Sequence, residues 1–226
     1  MNFSKPTSPS WLVILVALLL QGCSNKPPLH HDDFLYSAVG ASDILGVGAF
    51  PLSNGYTFRI QGELQDQGRN IALFQIGLPG ANTDIIADAV EKAADKGLET
   101  EFATVWVGAN DLVNGVPVET FASELSRLLG LLQDEIDAYV VIANLPNLQS
   151  FPNFIEEPVP EVTDQRVLQY NATINALAIE RGIPVVNLVD DAIGKHLVYD
   201  FDGLHPDDEG HDRLAKLFMN VIRPVL

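Results

Sequence analysis

Cysteine, basic charge and long apolar runs are all scarce in this chain of 226 residues, and each shortage closes off a class of function. Cys23 is the single cysteine, so no disulfide can form within the chain. Lys and Arg number 13 against 30 Asp and Glu, a formal charge of -17. A surface of that sign repels phosphate backbones and anionic headgroups, which argues against nucleic acid as a partner and against membrane binding by charge. The apolar run WLVILVALLL spans residues 11–20, whereas a membrane-spanning helix needs about 20 residues. Charged residues make up 19% and hydrophobic ones 47%. That is too little charge for a disordered polyelectrolyte and enough apolar surface for one sizeable core.

Residues 1–22 read as a signal segment, with Lys5 before the apolar run and Leu20-Gln21-Gly22 after it. An ordinary secretory signal or a short anchor would look much the same. The Leu-x-Gly directly before Cys23, however, resembles the lipobox of bacterial lipoproteins. That resemblance implies cleavage before Cys23 and lipid attachment to it, and several acyl chains on one residue hold a protein stably at a membrane. Ser24 in second place is similar to the pattern sent on to the outer membrane of a diderm bacterium. Loss of residues 1–22 removes Lys5 and no acid, leaving twelve basic residues against 30 acidic ones, or -18. The expected organisation is a signal peptide over 1–22, a polar tether over 23–33 and one domain over 34–226, the body lying in solvent at the cell envelope.

Within that domain, apolar runs of strand length alternate with amphipathic stretches. The runs are 34–40 (FLYSAVG), 70–77 (NIALFQIG), 102–108 (FATVWVG), 139–145 (YVVIANL) and 184–190 (PVVNLVD). Each is nearly continuous in apolar residues, as strands covered on both faces must be. Between them, Ile85, Ile86, Ala89, Val90 and Ala93 recur at helical spacing in a stretch ending at Gly97, and Phe121, Leu125, Leu128, Leu129, Leu132 and Ile136 share one helical face. A third helix ends at Gly182, and a fourth begins near Asp207. This alternation predicts an α/β fold, a three-layer α/β/α doubly wound (flavodoxin-like) domain around a central parallel sheet of about five strands. Residues 146–163, with four prolines and no periodicity, read as a functional loop whose Leu148, Phe151, Phe154 and Ile155 pack over a crevice.

Four polar motifs stand where these runs end: Gly40-Ala41-Ser42-Asp43, Leu78-Pro79-Gly80-Ala81-Asn82, Gly108-Ala109-Asn110-Asp111 and Asp202-Gly203-Leu204-His205-Pro206. In a parallel sheet the carboxyl ends of all strands share one edge, so residues distant in sequence meet there. A serine hydroxyl needs a histidine to take its proton, and the histidine needs a carboxylate to fix its tautomer. The spacing of Asp202 and His205 lets the carboxylate reach the ring while the other ring nitrogen faces Ser42. Singly, each motif has a plainer reading: Ser42 caps a helix, Gly80 and Asn110 sit in turns, and Asp202 to Pro206 is a surface turn. The Gly-x-Ser-x-Gly turn of the α/β-hydrolases fails here at Ile44. Asp200, Asp202, His205, Asp207, Asp208 and His211 form an acid and histidine cluster that could ligate a metal, but no His-Glu-x-x-His pattern accompanies it, and the acids also suit a helix N-terminus.

In combination and order, the motifs resemble the SGNH (GDSL-type) hydrolase family over about residues 34–220. The resemblance implies Ser42 as nucleophile, His205 as general base and acid, and Asp202 as its orienting partner. It implies an oxyanion hole from the N–H of Ser42, the N–H of Gly80 and the side-chain amide of Asn110, with no metal and no cofactor. One departure is Ala41, where the family often has aspartate before the serine; here Asp43 follows it instead. The implied reaction is ester hydrolysis through an acyl-serine, on a small-molecule or lipid ester or an acetylated glycan. The apolar loop favours acyl or aryl esters. The alternative from another class is a non-catalytic envelope or carbohydrate-binding lipoprotein on the same fold.

Overall fold

The computed structural model describes residues 33–189, 197–198 and 201–225. The expected signal segment, Cys23 and the expected tether up to residue 32 lie outside the described residues, as do Asp190, His196 and Asp200. All five apolar runs become strands: β1 (Asp33–Gly40), β2 (Asn70–Gly77), β3 (Phe102–Trp106), β4 (Tyr139–Ala143) and β5 (Val185–Val186). They form one parallel sheet in the order β2-β1-β3-β4-β5. Tyr36, Val39, Ala103, Val105, Val141 and Ile142 are fully buried along it, which is why these strands carry no polar alternation. The phenol of Tyr36 is satisfied inside the core by Thr104 Oγ1 at 2.8 Å.

Helices cover both faces. On one side, α1 (Tyr56–Asp66) packs against α7 (Asp208–Ile222). On the other, α2 (Thr83–Ala94), α4 (Val118–Gly130) and α6 (Asp164–Arg181) lie in a row. A wider turn, Leu131–Glu135, continues α4 to the end of its predicted span. Thr163 caps α6 by accepting the N–H of Arg166, and Gly182 ends it in the left-handed conformation. Two short helices were not expected, α3 (Ala109–Val113) at the end of β3 and α5 (Pro152–Glu156) inside the proline-rich segment. Pro152 opens α5 at its first position, where a helix tolerates proline, so residues 146–163 are more ordered than a structureless loop. None of the described helices is long and apolar enough to cross a membrane.

The strand order fixes where a site can form. From β1 the chain goes outward to β2, then returns past β1 to β3 on its other side. The loops after β1 and β3 therefore diverge to opposite faces and leave a crevice between them at the carboxyl edge. Ser42 follows the first of these strands and Asn110 the second.

Candidate active site

Ser42 stands two residues beyond β1, at the head of a tight turn over Asp43–Leu45, and its carbonyl accepts the Leu45 N–H at 3.0 Å. Its side of the crevice is braced by Gly48, whose φ is +97°. A Cβ at Gly48 would lie 2.1 Å from the carbonyl oxygen of Pro206 and 3.0 Å from Cβ of His205, so glycine lets the two loops touch.

Around Asp202 the backbone folds so that one carboxylate serves three donors. Oδ1 accepts the N–H of Leu204 at 2.9 Å and of His205 at 3.0 Å. Oδ2 lies 2.8 Å from Nδ1 of His205, and Nε2 of the same ring lies 2.8 Å from Oγ of Ser42. With Nδ1–H given to the carboxylate, Nε2 is left as the acceptor for the serine hydroxyl. Burial pushes the Asp202 carboxyl up, but the Leu204 N–H, the His205 ring, the His205 N–H and the imidazole's charge outweigh it and hold the group below the ordinary range. Asp202 is thus held ionised against the ring of His205.

The two remaining motifs meet across the crevice. Gly80 turns with φ +75° just before α2, and Asn110 is the second residue of α3. Nδ2 of Asn110 donates one hydrogen to the carbonyl of Ala81 at 3.0 Å, leaving its second hydrogen unused by that bond. Asp111 is 2% exposed and receives the N–H of Thr83 at 3.0 and 3.1 Å and its hydroxyl at 2.9 Å. Nδ2 of Asn114 adds a bond to Oδ1 of Asn82 at 2.8 Å. The loop after β2 and the turn after β3 are in this way tied into one unit. Burial raises the Asp111 carboxyl more than the Thr83 donors lower it.

A cavity of about 200 Å³ opens over these groups. Ser42, His205 and Asn110 line it together with Ala81, while its apolar walls come from Trp106, Val113, Leu148, Phe151, Phe154 and Val159; Ile155, expected beside them, is exposed instead. Asp43 also faces it. Its carboxyl is pushed up by burial, an effect that the charges of His205 and His211 oppose. Ala41, which stands where the family often has aspartate, is a buried wall residue of the same cavity.

Among the described residues, no three His, Cys, Asp or Glu side chains converge as a metal site. The acid and histidine cluster near the C-terminus is dispersed instead: Asp207 caps α7 through the N–H of Gly210 at 2.7 Å, and Asp208 accepts the N–H of Phe50 at 3.0 Å. His211 is fully buried. Its Nδ1 accepts the N–H of Tyr56 at 3.2 Å, which leaves Nε2 to donate to the carbonyl of Val47 at 3.0 Å. Local pattern places His211 in an acid and histidine cluster; its partners, 155 and 164 residues away, are invisible to it.

A doubly wound sheet whose switch point carries a serine, a carboxylate-bound histidine and an asparagine defines a class of hydrolase. Residues 38–213 match the GDSL-like lipase/acylhydrolase family, and the chain belongs to it. It is a serine ester hydrolase. No curated protein matches the chain. Similar solved structures include a psychrotrophic esterase from a Pseudoalteromonas species inhibited by monoethylphosphonate, with a TM-score of 0.67 and 16% identity over 85% of this chain and 98% of that one. A family 3 carbohydrate esterase from Clostridium thermocellum gives 0.68 and 18% over 85% and 96%. An acetyl xylan esterase gives 0.64 and 16% over 83% and 99%. At these identities the likeness is one of fold.

His211 generates a pH prediction. Burial, the largest influence, and the charge of Arg59 hold its pKa below 6.5, against the opposing effects of the Val47 carbonyl, Asp43 and Asp208. The unfolded chain therefore binds the proton first as pH falls, so stability is lost on going below about pH 6.5, with a slope of at most about 1.4 kcal/mol per pH unit. Denaturant unfolding between pH 7.5 and 5 is expected to show this extra slope in the wild type relative to His211→Gln. A stability difference that stays constant with pH would contradict it.

Proposed function

We propose that Ser42, His205 and Asp202 are the catalytic triad of a serine esterase, and the observation that carries this reading is the hydrogen-bond chain with both links at 2.8 Å. Oγ of Ser42 attacks the ester carbonyl carbon as Nε2 of His205 takes its proton, and Asp202 stabilises the resulting imidazolium. The carbonyl oxygen becomes an oxyanion that the N–H of Ser42, the N–H of Gly80 and the amide of Asn110 receive. Collapse of this intermediate expels the alcohol, protonated from His205, and leaves an acyl-serine. Water, deprotonated by the same imidazole, then releases the acid and restores the serine. No step calls for a metal or cofactor.

The substrate is a small-molecule or lipid ester or an acetylated glycan, and an acetyl xylan esterase among the similar structures supports the last of these. We place the enzyme outside the cytoplasm, held at the cell envelope by lipid on Cys23, with an acidic body in solvent. The Leu20-Gln21-Gly22-Cys23 pattern supports that placement.

Two measurements check these assignments. Ser42→Ala and His205→Ala are each expected to lower kcat by about 10⁶, with the double mutant little worse than either, since a triad acts as a unit. Asn110→Ala is expected to lower kcat by roughly 10² to 10³ with little change in KM, because its donor serves charge that exists in the transition state. A rise in KM alone would make Asn110 a substrate-binding residue instead. Separately, Cys23→Ser is expected to move the protein from the membrane fraction to the soluble one with ester hydrolysis retained, and unaltered membrane association in that variant would overturn the anchor.

A further inference from the structure

The segment between β4 and α6 belongs to two structures at once. Leu148, Phe151, Phe154 and Val159 line the cavity that also contains Ser42 and His205. Phe151 is 3% exposed and Phe154 8%, so both rings are packed in place. Between these two residues in sequence, the backbone N–H of Asn153 donates to the carbonyl of Gly203 at 3.0 Å. Gly203 is the residue after Asp202, two before His205.

The fit there is tight. Gly203 has φ +60°, and a Cβ on it would lie 2.8 Å from the nitrogen of Asn153 and 3.0 Å from Cβ of Pro152. The segment is also fixed at its ends. Leu145 exchanges two hydrogen bonds with the Asn171 side chain, at 2.8 and 2.9 Å, and Nε2 of Gln149 donates to the carbonyl of Val162 at 2.9 Å. A group that presses on Phe151 or Phe154 therefore presses on a short helix whose backbone holds the loop carrying Asp202 and His205.

We propose that residues 146–163 form a strap that reads the acyl part of the ester: the chain lies against Phe151 and Phe154, and its seating steadies His205 through the Asn153–Gly203 bond. This rests on the triad reading above. It assigns Phe151 and Phe154 to acyl specificity and Gly203 to positioning. It also names the preferred substrate. An apolar cavity of about 150 Å³ accommodates benzene, so one somewhat larger takes an acyl chain or aryl group of about six to eight carbons. Two-carbon acyl groups leave it unfilled, and chains of twelve or more overrun it.

Chain length then has two separable effects. Burial of each methylene raises kcat/KM by about fourfold until the cavity is full. If the cavity were only an apolar sink, the gain would be uniform binding and would fall in KM alone. Coupling through Gly203 puts part of it in kcat.

The experiment is steady-state hydrolysis of p-nitrophenyl esters with acyl chains from two to sixteen carbons, by the wild type, Phe154→Ala and Ser42→Ala. The expected result is a maximum at six to eight carbons, kcat for that ester at least threefold above the acetyl ester, and in Phe154→Ala a maximum shifted by two or more carbons toward longer chains with the kcat gain lost. A wild-type maximum at the acetyl ester, or a rise continuing to sixteen carbons, overturns the strap as an acyl reader. A chain-length effect confined to KM overturns its coupling to His205, and this comparison needs no variant to fold. Acetyl-ester turnover undiminished in Ser42→Ala overturns the triad reading, and the strap with it.

Discussion

The carboxylate of Asp202 is the point on which the site depends. Its Oδ1 organises the turn by taking two successive backbone N–H groups, and its Oδ2 holds the imidazole in one tautomer and orientation. Carboxylate bonds to N–H donors are stronger than neutral ones, and they keep the group ionised despite its partial burial. Without that charge, the same five residues would be an ordinary turn leading into α7. The turn has outside support as well: Val198 bridges Pro206, Asp207 N–H bonds the Leu197 carbonyl, and Gly48 and Asn153 press on it from a turn and from α5.

Opposite this turn, the side proposed to receive the oxyanion is built by different means. Three side chains cross-link the loop after β2 to the turn after β3: Asn110, Asp111 and Asn114. Leaving a buried polar group unpaired costs about 1–3 kcal/mol, so Asp111 and Thr83 stabilise each other chiefly by forbidding alternatives. Two pre-set walls of this kind leave little to reorganise when charge develops between them, which is what electrostatic stabilisation requires.

Much of this was legible from residues alone. Strands buried on both faces announce themselves as apolar runs, and all five appear, although β5 is shorter than the run over 184–190. The α/β class and the three-layer arrangement followed from alternation. What escaped was what depends on tertiary partners. Helix α1 has only Tyr56, Ile60 and Leu64 as buried apolar anchors and contains Gly62, so its pattern is faint until α7 covers it. Proline marked residues 146–163 as irregular, yet Pro152 opens a helix there, and the link from Asn153 to Gly203 spans fifty residues with no trace in either motif. His211 reads in sequence as part of an acid and histidine cluster because its neighbours there are acidic; its hydrogen-bond partners in space are the backbone of Val47 and Tyr56.

The central claim is that Asp202 and His205 make Ser42 a nucleophile. It is tested most directly by the rate at which a reporter phosphonate modifies the protein, with the adduct located by mass spectrometry, because this reads the serine's reactivity without any assumption about substrate. The account predicts one adduct per chain, on Ser42, formed roughly 10² to 10⁴ times more slowly in His205→Ala and at an intermediate rate in Asp202→Ala. An adduct on another residue, or a Ser42 rate indifferent to both changes, would contradict it.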